Sequence, residues 1–385
     1  MPNTPAIVLS SHTIGLGVIR ALGRMGVPVT VFYYREEDMG YLSKHVRRKV
    51  KVPNPATETA DFVAALIDGA KPYSKPLLIP ADDETLVAVS QHKAQLEEHF
   101  IVACEDWETV QSIIDKKYTY RLAEAHGVPS PKTFEVESLD ELERYAEIMG
   151  FPLIIKPCHS HLYFEVFRKK MVKAHSLDEA VGAFKEADAH GLALMLQEHI
   201  PGDDSRGVNY NSYFWDGKPL VEFTAEKVRL APPRFGVPRV LVSKYMPEVI
   251  DLGRKIVQAA GYRGYSCTEF KKDVRDGTYK LMEINGRHNL SSMLSVSCGI
   301  NFPWLEYKHR VEGVLPGHCE FKTGAYWIDL TKDVLFSLKY LREERYSLAE
   351  YFRPYMKPHV FAIFDRGDLR PFVKRCFDFA SNAAK

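Results

Sequence analysis

The sequence predicts two kinds of layered unit in succession: a doubly wound α/β domain, then α+β material built on antiparallel sheet. Three observations carry this. Residues 6–32 read strand, helix, strand, and residues 59–95 repeat the same grammar. Beyond residue 190 the pattern changes to strands joined by Asp-Gly pairs, at Asp216-Gly217 and Asp276-Gly277, which tolerate the positive φ of a tight hairpin. At 385 residues, 45% hydrophobic and 26% charged, the chain can bury a sizeable core and should divide into several domains. We expect boundaries at 1–112, 113–195, 196–312 and 313–385.

Composition excludes several function classes. Fifty-one basic against fifty acidic side chains give a formal charge of +1, which offers no global field for nucleic acid or an anionic membrane. The N-terminal residues run into a short apolar strand without a basic leader, and no apolar run approaches the about 18 residues of a membrane span, so a cytoplasmic location is expected. Six cysteines lack C-x-x-C or zinc-like spacing and read as mostly buried thiols.

Taken in order, Ala6 to Leu9 is a strand, Ile14 to Met25 a helix and Val27 to Phe32 a second strand. The turn between the first two lacks the third glycine of a dinucleotide fingerprint, since Arg20 stands in its place, and this disfavours NAD. A helix from Thr59 to Asp68, a strand from Pro76 to Pro80 and a helix from Leu86 to Gln95 follow. The strand ends in Asp82-Asp83-Glu84, at the carboxyl edge where open α/β sheets bind ligands. Two readings stay open for this loop: a helix cap, and a contact to a substrate amino group.

A helix from Ile114 carries Lys116 and Lys117 in its first turn and is stopped by Gly127. Lysines there oppose the helix dipole, which makes sense beside a bound anion, although solvated lysines are the commoner case. After a helix from Leu139 to Met149, Lys156 ends the apolar strand Phe151 to Pro157, where a lysine needs an anionic partner and phosphate suits. Leu192 to Gln197 is a strand, and Val208–Trp215 with Leu220–Arg229 form a hairpin that places Lys227 and Arg229 on one face.

A helix from Val249 to Ala260 leads into the most informative stretch, Glu269 to Arg287. Its two strands meet at Asp276-Gly277, so Glu269 and Glu283 come near one another, and Asn285 shares the face of Glu283 because the strand period is two. Two carboxylates and a carboxamide oxygen repel one another unless a cation sits between them, and such hard ligands suit magnesium (Mg2+). Arg287, two residues on, suits phosphate oxygens. Scattered acids on a solvated hairpin would be the plainer reading of Glu-x-Asn alone.

The arrangement Glu269…Glu283-x-Asn285-x-Arg287 resembles the metal-binding end of the ATP-grasp ligases. Asp115-Lys116, the helix ending Gly-Val-Pro-Ser-Pro, and Ile-Ile-Lys156-Pro resemble their central subdomain. The resemblance covers roughly residues 5 to 310 and points to the branch related to D-aspartate ligase. It implies an ATP-grasp fold behind an N-terminal doubly wound (pre-ATP-grasp) domain. Lys116 and Lys156 would contact phosphate, and Gln197, Glu198 and the Ile200 backbone would meet adenine. Asp204 would meet ribose, and Lys227 the terminal phosphate. The phosphate loop departs from the family: it reads Cys158-His-Ser-His-Leu-Tyr-Phe rather than glycine-rich, leaving Ser160 and two histidines for the contacts.

The loop after Arg287 would hold the acceptor through Asn289, Ser291 and Ser292, though capping explains the serines equally well. Leu330 to Arg342 has helical periodicity and Phe372 to Phe377 is basic and aromatic; both are expected to pack against the core, one cationic turn being a weak attraction for a membrane. The implied activity joins a carboxylate to an amine with ATP and Mg2+ through an acyl phosphate, with catalysis by Arg287 and Lys227. An ATP-binding protein without ligase activity and an NAD-dependent oxidoreductase stand as alternatives. Expected partners are small-molecule carboxylate and amine substrates and a second copy in a homodimer, with no nucleic acid and no membrane span.

Overall fold

Three sheets organise the chain, and in each the strand sequence explains its place. A computed structural model describes residues 3–158, 166–167, 169, 171–233, 236–344 and 346–383. The first sheet is parallel, with order β3-β2-β1-β4-β5 for β1 (Ala6–Leu9), β2 (Val29–Tyr33), β3 (Val46–Lys51), β4 (Leu77–Pro80) and β5 (Ile101–Val102). Its inner strands β1 and β4 are buried at every position, as continuous apolar runs under helices on both faces must be. The edge strand β3 escaped the sequence reading because Val-Arg-Arg-Lys-Val-Lys looks like a solvated charge run; exposed basic residues suit a sheet edge.

The second sheet is antiparallel, order β6-β9-β7-β8, from β6 (Thr133–Val136), β7 (Leu153–Pro157), β8 (Val172–Ala174) and β9 (Leu194–Glu198). Two helices beside it, Leu139–Met149 and Leu177–Asp188, start with the same tetrapeptide, Ser-Leu-Asp-Glu. In each the serine Oγ accepts from the backbone N–H of the glutamate three residues on, and that glutamate reaches back to the residue before the serine. Ser138→Ala and Ser176→Ala should each cost about 1 kcal/mol, read as a shift in the urea midpoint at unchanged slope.

The third sheet runs β14-β13-β10-β11-β12-β15-β16, from β10 (Gly207–Trp215), β11 (Lys218–Ala231), β12 (Val237–Ser243), β13 (Gly264–Lys272), β14 (Tyr279–Asn285), β15 (Tyr326–Ile328) and β16 (His359–Phe361). Asp216 and Gly217 both take positive φ, 48° and 70°, as a two-residue hairpin demands. At the other Asp-Gly pair only Gly277 does so (φ 77°). That turn is a longer loop closed by Asp273 N to Thr278 O and Gly277 N to Asp273 O, both 2.8 Å.

Residues beyond 313 return to this same sheet as β15 and β16. They also reach the first helix, where Arg20 Nε donates to Asp368 at 3.0 Å with both side chains 1% exposed. The expected side-by-side placement of Lys227 and Arg229 fails. A bulge between them turns Arg229 into the interior, where it donates to Asp333 Oδ2 at 2.8 Å and to the Tyr351 carbonyl at 3.1 Å. The helix Leu330–Lys339 therefore faces inward with Asp333 and Ser337, not with its leucines as its periodicity predicts.

Candidate active site

Strands β13 and β14 pair antiparallel with Glu269 opposite Glu283 and Cys267 opposite Asn285. Opposed residues share a sheet face, so the two acids project together and Asn285 projects beside them. The Asn285 amide links its neighbours: Nδ2 donates to Glu283 Oε1 at 3.4 Å, and Oδ1 accepts from Arg287 Nη2 at 3.1 Å.

Cations face this row. Lys227 lies across Gly207, where an added Cβ would come within 2.6 Å of its Cδ, and donates to Glu269. Lys116 opens a helix capped by Asp115, whose Oδ1 accepts from Lys117 N at 2.9 Å, while Lys117 turns aside to Glu135 at 2.7 Å. Lys156, 8% exposed at the end of β7, is pushed down to about 8 by burial and by the nearby Lys116, with Glu283 opposing. Burial would raise the Glu283 carboxyl, but Lys116, Lys227 and the Asn285 amide together hold it below its ordinary value. Four cations thus surround the paired carboxylates, an arrangement able to hold a polyphosphate with divalent ions.

No family model matches the chain. It is 29% identical over 307 residues to a D-aspartate ligase of Enterococcus faecium, covering 74% of this chain and 70% of the relative. A D-alanine–D-alanine ligase B of Pseudomonas putida is 25% identical over 220 residues, 52% of this chain and 64% of the relative, so this match spans less than two thirds of that protein. The fold superposes on an L-amino acid ligase from Bacillus licheniformis with a TM-score of 0.63, covering 80% of this chain and 74% of that one at 18% identity. This chain is an ATP-grasp ligase related to D-aspartate ligase.

Between its second and third sheets the ligase engages most of the side chains that the family pattern assigns to adenine and ribose. Gln197, 1% exposed, donates to Thr133 Oγ1 at 3.0 Å. The Glu198 carboxylate binds Arg275 and Lys280. The Ile200 carbonyl accepts from Lys271 Nζ at 2.9 Å, and Asp204 Oδ2 accepts from Leu230 N at 3.1 Å. Ser160, with His159 and His161, lies outside the described residues. In the loop after Arg287, Ser292 Oγ donates to the Asn289 carbonyl at 2.7 Å, and Asn289 Nδ2 donates to Asn211 Oδ1 at 2.6 Å. Both side chains are therefore engaged internally, and the Ser291 side chain makes no cap hydrogen bond.

Two neighbours of the cluster were not assigned to it from sequence. Asp82 caps the helix Asp83–Gln91, accepting from Thr85 N at 2.8 Å, and this leaves Asp83 to grip Arg287 with both oxygens, at 2.7 and 2.9 Å. No local pattern couples positions 204 residues apart. Asn209 stands opposite Glu269 on β10, and its Oδ1 is buried without a hydrogen-bond partner. Its alternation with Asn211 on a strand rich in apolar and aromatic residues was the signal in the sequence.

Among the described residues no group of three or more His, Cys, Asp or Glu could hold a metal. Two carboxylates and one carboxamide instead fit an ion that takes its remaining ligands from phosphate and water. Magnesium delivered with a nucleotide meets that description.

Proposed function

We propose that this ligase activates a substrate carboxylate as an acyl phosphate at the expense of ATP and passes the acyl group to an amine, releasing ADP and phosphate. The observation that carries the reading is the register-paired Glu269 and Glu283, followed by Asn285 and Arg287 and faced by Lys116, Lys156 and Lys227. Glu269, Glu283 and Asn285 would hold Mg2+, which when bound supplies charge neutralisation between the phosphates. Lys116 and Lys156 bind phosphate oxygens, and Lys227 and Arg287 stabilise the charge on the transferring phosphoryl group. Adenine lies along Gln197, Glu198 and Ile200, with ribose near Asp204 and Ser160 at the phosphates. Amino-acid-like substrates follow from what the relatives' names state.

The carboxylate attacks the terminal phosphorus, the bond to ADP breaks, and the amine then displaces phosphate from the acyl carbon. One carboxylate oxygen must leave on the phosphate. With an oxygen-18 carboxylate and a productive amine, mass spectrometry should therefore find labelled inorganic phosphate and ADP; AMP with pyrophosphate, or unlabelled phosphate, rules the scheme out. A screen for condensed products from mixed amino acids with ATP and magnesium identifies the pair. ATP binding without turnover across that panel would favour the non-ligase alternative. A dinucleotide site is disfavoured because the position of the third fingerprint glycine is held by Arg20, which is buried and donates to Asp368 at 3.0 Å.

Among the described residues no helix is long and apolar enough to cross a membrane. A cytoplasmic setting, where ATP is supplied, belongs to the same proposal, as does a homodimer, which sedimentation velocity checks.

A further inference from the structure

The helix Leu330–Lys339 is amphipathic with the usual orientation reversed, and the helix Leu348–Met356 leaves an apolar stripe of its own exposed. Asp333 of the first is fully buried between Arg229, at 2.8 Å, and Arg239, at 3.2 Å, and accepts from Tyr355 Oη of the second helix at 2.6 Å. The first helix thus turns Asp333 and Ser337 to the sheet, the second packs Tyr351, Pro354 and Tyr355 inward, and apolar side chains of both are left facing water. Leu338, Leu348 and Met356 are 71%, 77% and 81% exposed, and Leu335, Leu341 and Phe352 are exposed with them. Leu348, Phe352 and Met356 are spaced four residues apart, one stripe along the helix. Apolar surface repeated in register over successive helices marks an interaction site more than scattered exposure does.

Charge selects the partner. Residues 330–385 carry eleven Lys and Arg against seven Asp and Glu, although the whole chain is balanced at 51 and 50. The inward side engages Asp333 and Glu344, which bind Arg229 and Arg239, and of the acids on these helices Glu343 and Glu350 stay exposed. Lys339, Arg342, Arg353 and Lys357 are exposed beside the stripe. Two copies meeting through this face would bring like charges together.

We infer that this face docks the ligase peripherally on a lipid bilayer bearing anionic headgroups, the leucines, Phe352 and Met356 entering the acyl boundary and the flanking cations meeting the headgroups. Neither signal alone gives firm attachment, whereas an apolar stripe combined with a basic rim does. This inference does not depend on the reaction scheme.

The test uses the full-length protein with vesicles of phosphatidylcholine alone or with about one third phosphatidylglycerol, the fraction that gives a strongly negative surface. Co-sedimentation should favour the anionic vesicles by tenfold or more. It should fall at least tenfold in the variant Leu338→Gln, Leu348→Gln, Met356→Gln and, separately, in Lys339→Glu, Arg342→Glu, Arg353→Glu. Met356→Trp provides a check within one folded protein: brominated phosphatidylglycerol should quench its added fluorescence more than it quenches wild type. No preference for anionic vesicles, no added quenching, or a wild-type dimer that the glutamine variant separates would each overturn the inference, the last in favour of a second copy on this face.

Discussion

Glu283→Gln should lower kcat by roughly 10²–10³-fold, the scale of losing one preorganised electrostatic contact to a developing charge. The site explains the size. Glu283 is held ionised against the effect of burial by Lys116, Lys227 and the Asn285 amide, so it supplies a full negative charge where two cationic elements and the phosphates must coexist. Glutamine preserves its shape and removes that charge. Excess magnesium should not restore turnover, because Glu269 then remains the one carboxylate of the pair and is itself engaged by Lys227.

Binding separates this role from a structural one. ATP without magnesium should bind Glu283→Gln as well as wild type or better, since a repulsive carboxylate has gone, while magnesium-ATP should bind more weakly. Circular dichroism should be unchanged. Wild-type turnover at saturating magnesium, or equal losses for ATP with and without the metal, would remove Glu283 from the proposed metal site.

Lys156→Ala should weaken ATP by roughly 10- to 100-fold, the range for a hydrogen bond to a charged group, and leave the acceptor affinity within about twofold. Its depressed value, about 8, adds a pH signature. An unfolded lysine titrates near 10.4, so between about pH 8 and 10.4 the unfolded chain holds a proton at this position that the folded chain has released. Stability from this group therefore rises with pH through that window, and the cost of burying the ammonium applies in full below it. A bound polyphosphate restores the ammonium, so ATP binding should take up a proton near pH 9. Calorimetry in buffers of different ionisation enthalpy measures this uptake. It should vanish in Lys156→Ala; uptake that persists in the variant, or comparable losses for ATP and acceptor, would place the lysine elsewhere.

Where an arrangement depends on short-range periodicity, it was legible from the chain alone. Glu269, Glu283, Asn285 and Arg287 lie within nineteen residues on one hairpin, so strand alternation and one turn suffice to bring them together. The turn's identity was less secure: the two-residue form holds at Asp216-Gly217 and not at Asp276-Gly277, where Asp273 uses its backbone to close a wider loop. Lys116 and Lys156 stand out in the sequence for a different reason, each being a cation in a place where helix dipole or burial disfavours it without an anion.

Other features depended on contacts between distant segments. Asp83 and Arg287 are 204 residues apart, and only the packing of the first sheet's carboxyl edge against the β13–β14 hairpin brings them to 2.7 Å. Arg229 shares the spacing of Lys227, and a bulge in β11 sends one to Asp333 and the other to Glu269.

Most of the longer strands and helices, and the hairpin carrying two acids and an amide in register, were legible in the sequence because each follows from steric preferences and charge within one or two elements; the strands β3, β15 and β16 were not. The tertiary structure decided which face of each element is turned inward. The leucines of Leu330–Lys339 would have been buried on periodicity alone. Two arginines already inside the fold, Arg229 and Arg239, require Asp333 as a counter-charge, and leaving a buried guanidinium unpaired costs about 3–5 kcal/mol, more than is gained by burying a leucine.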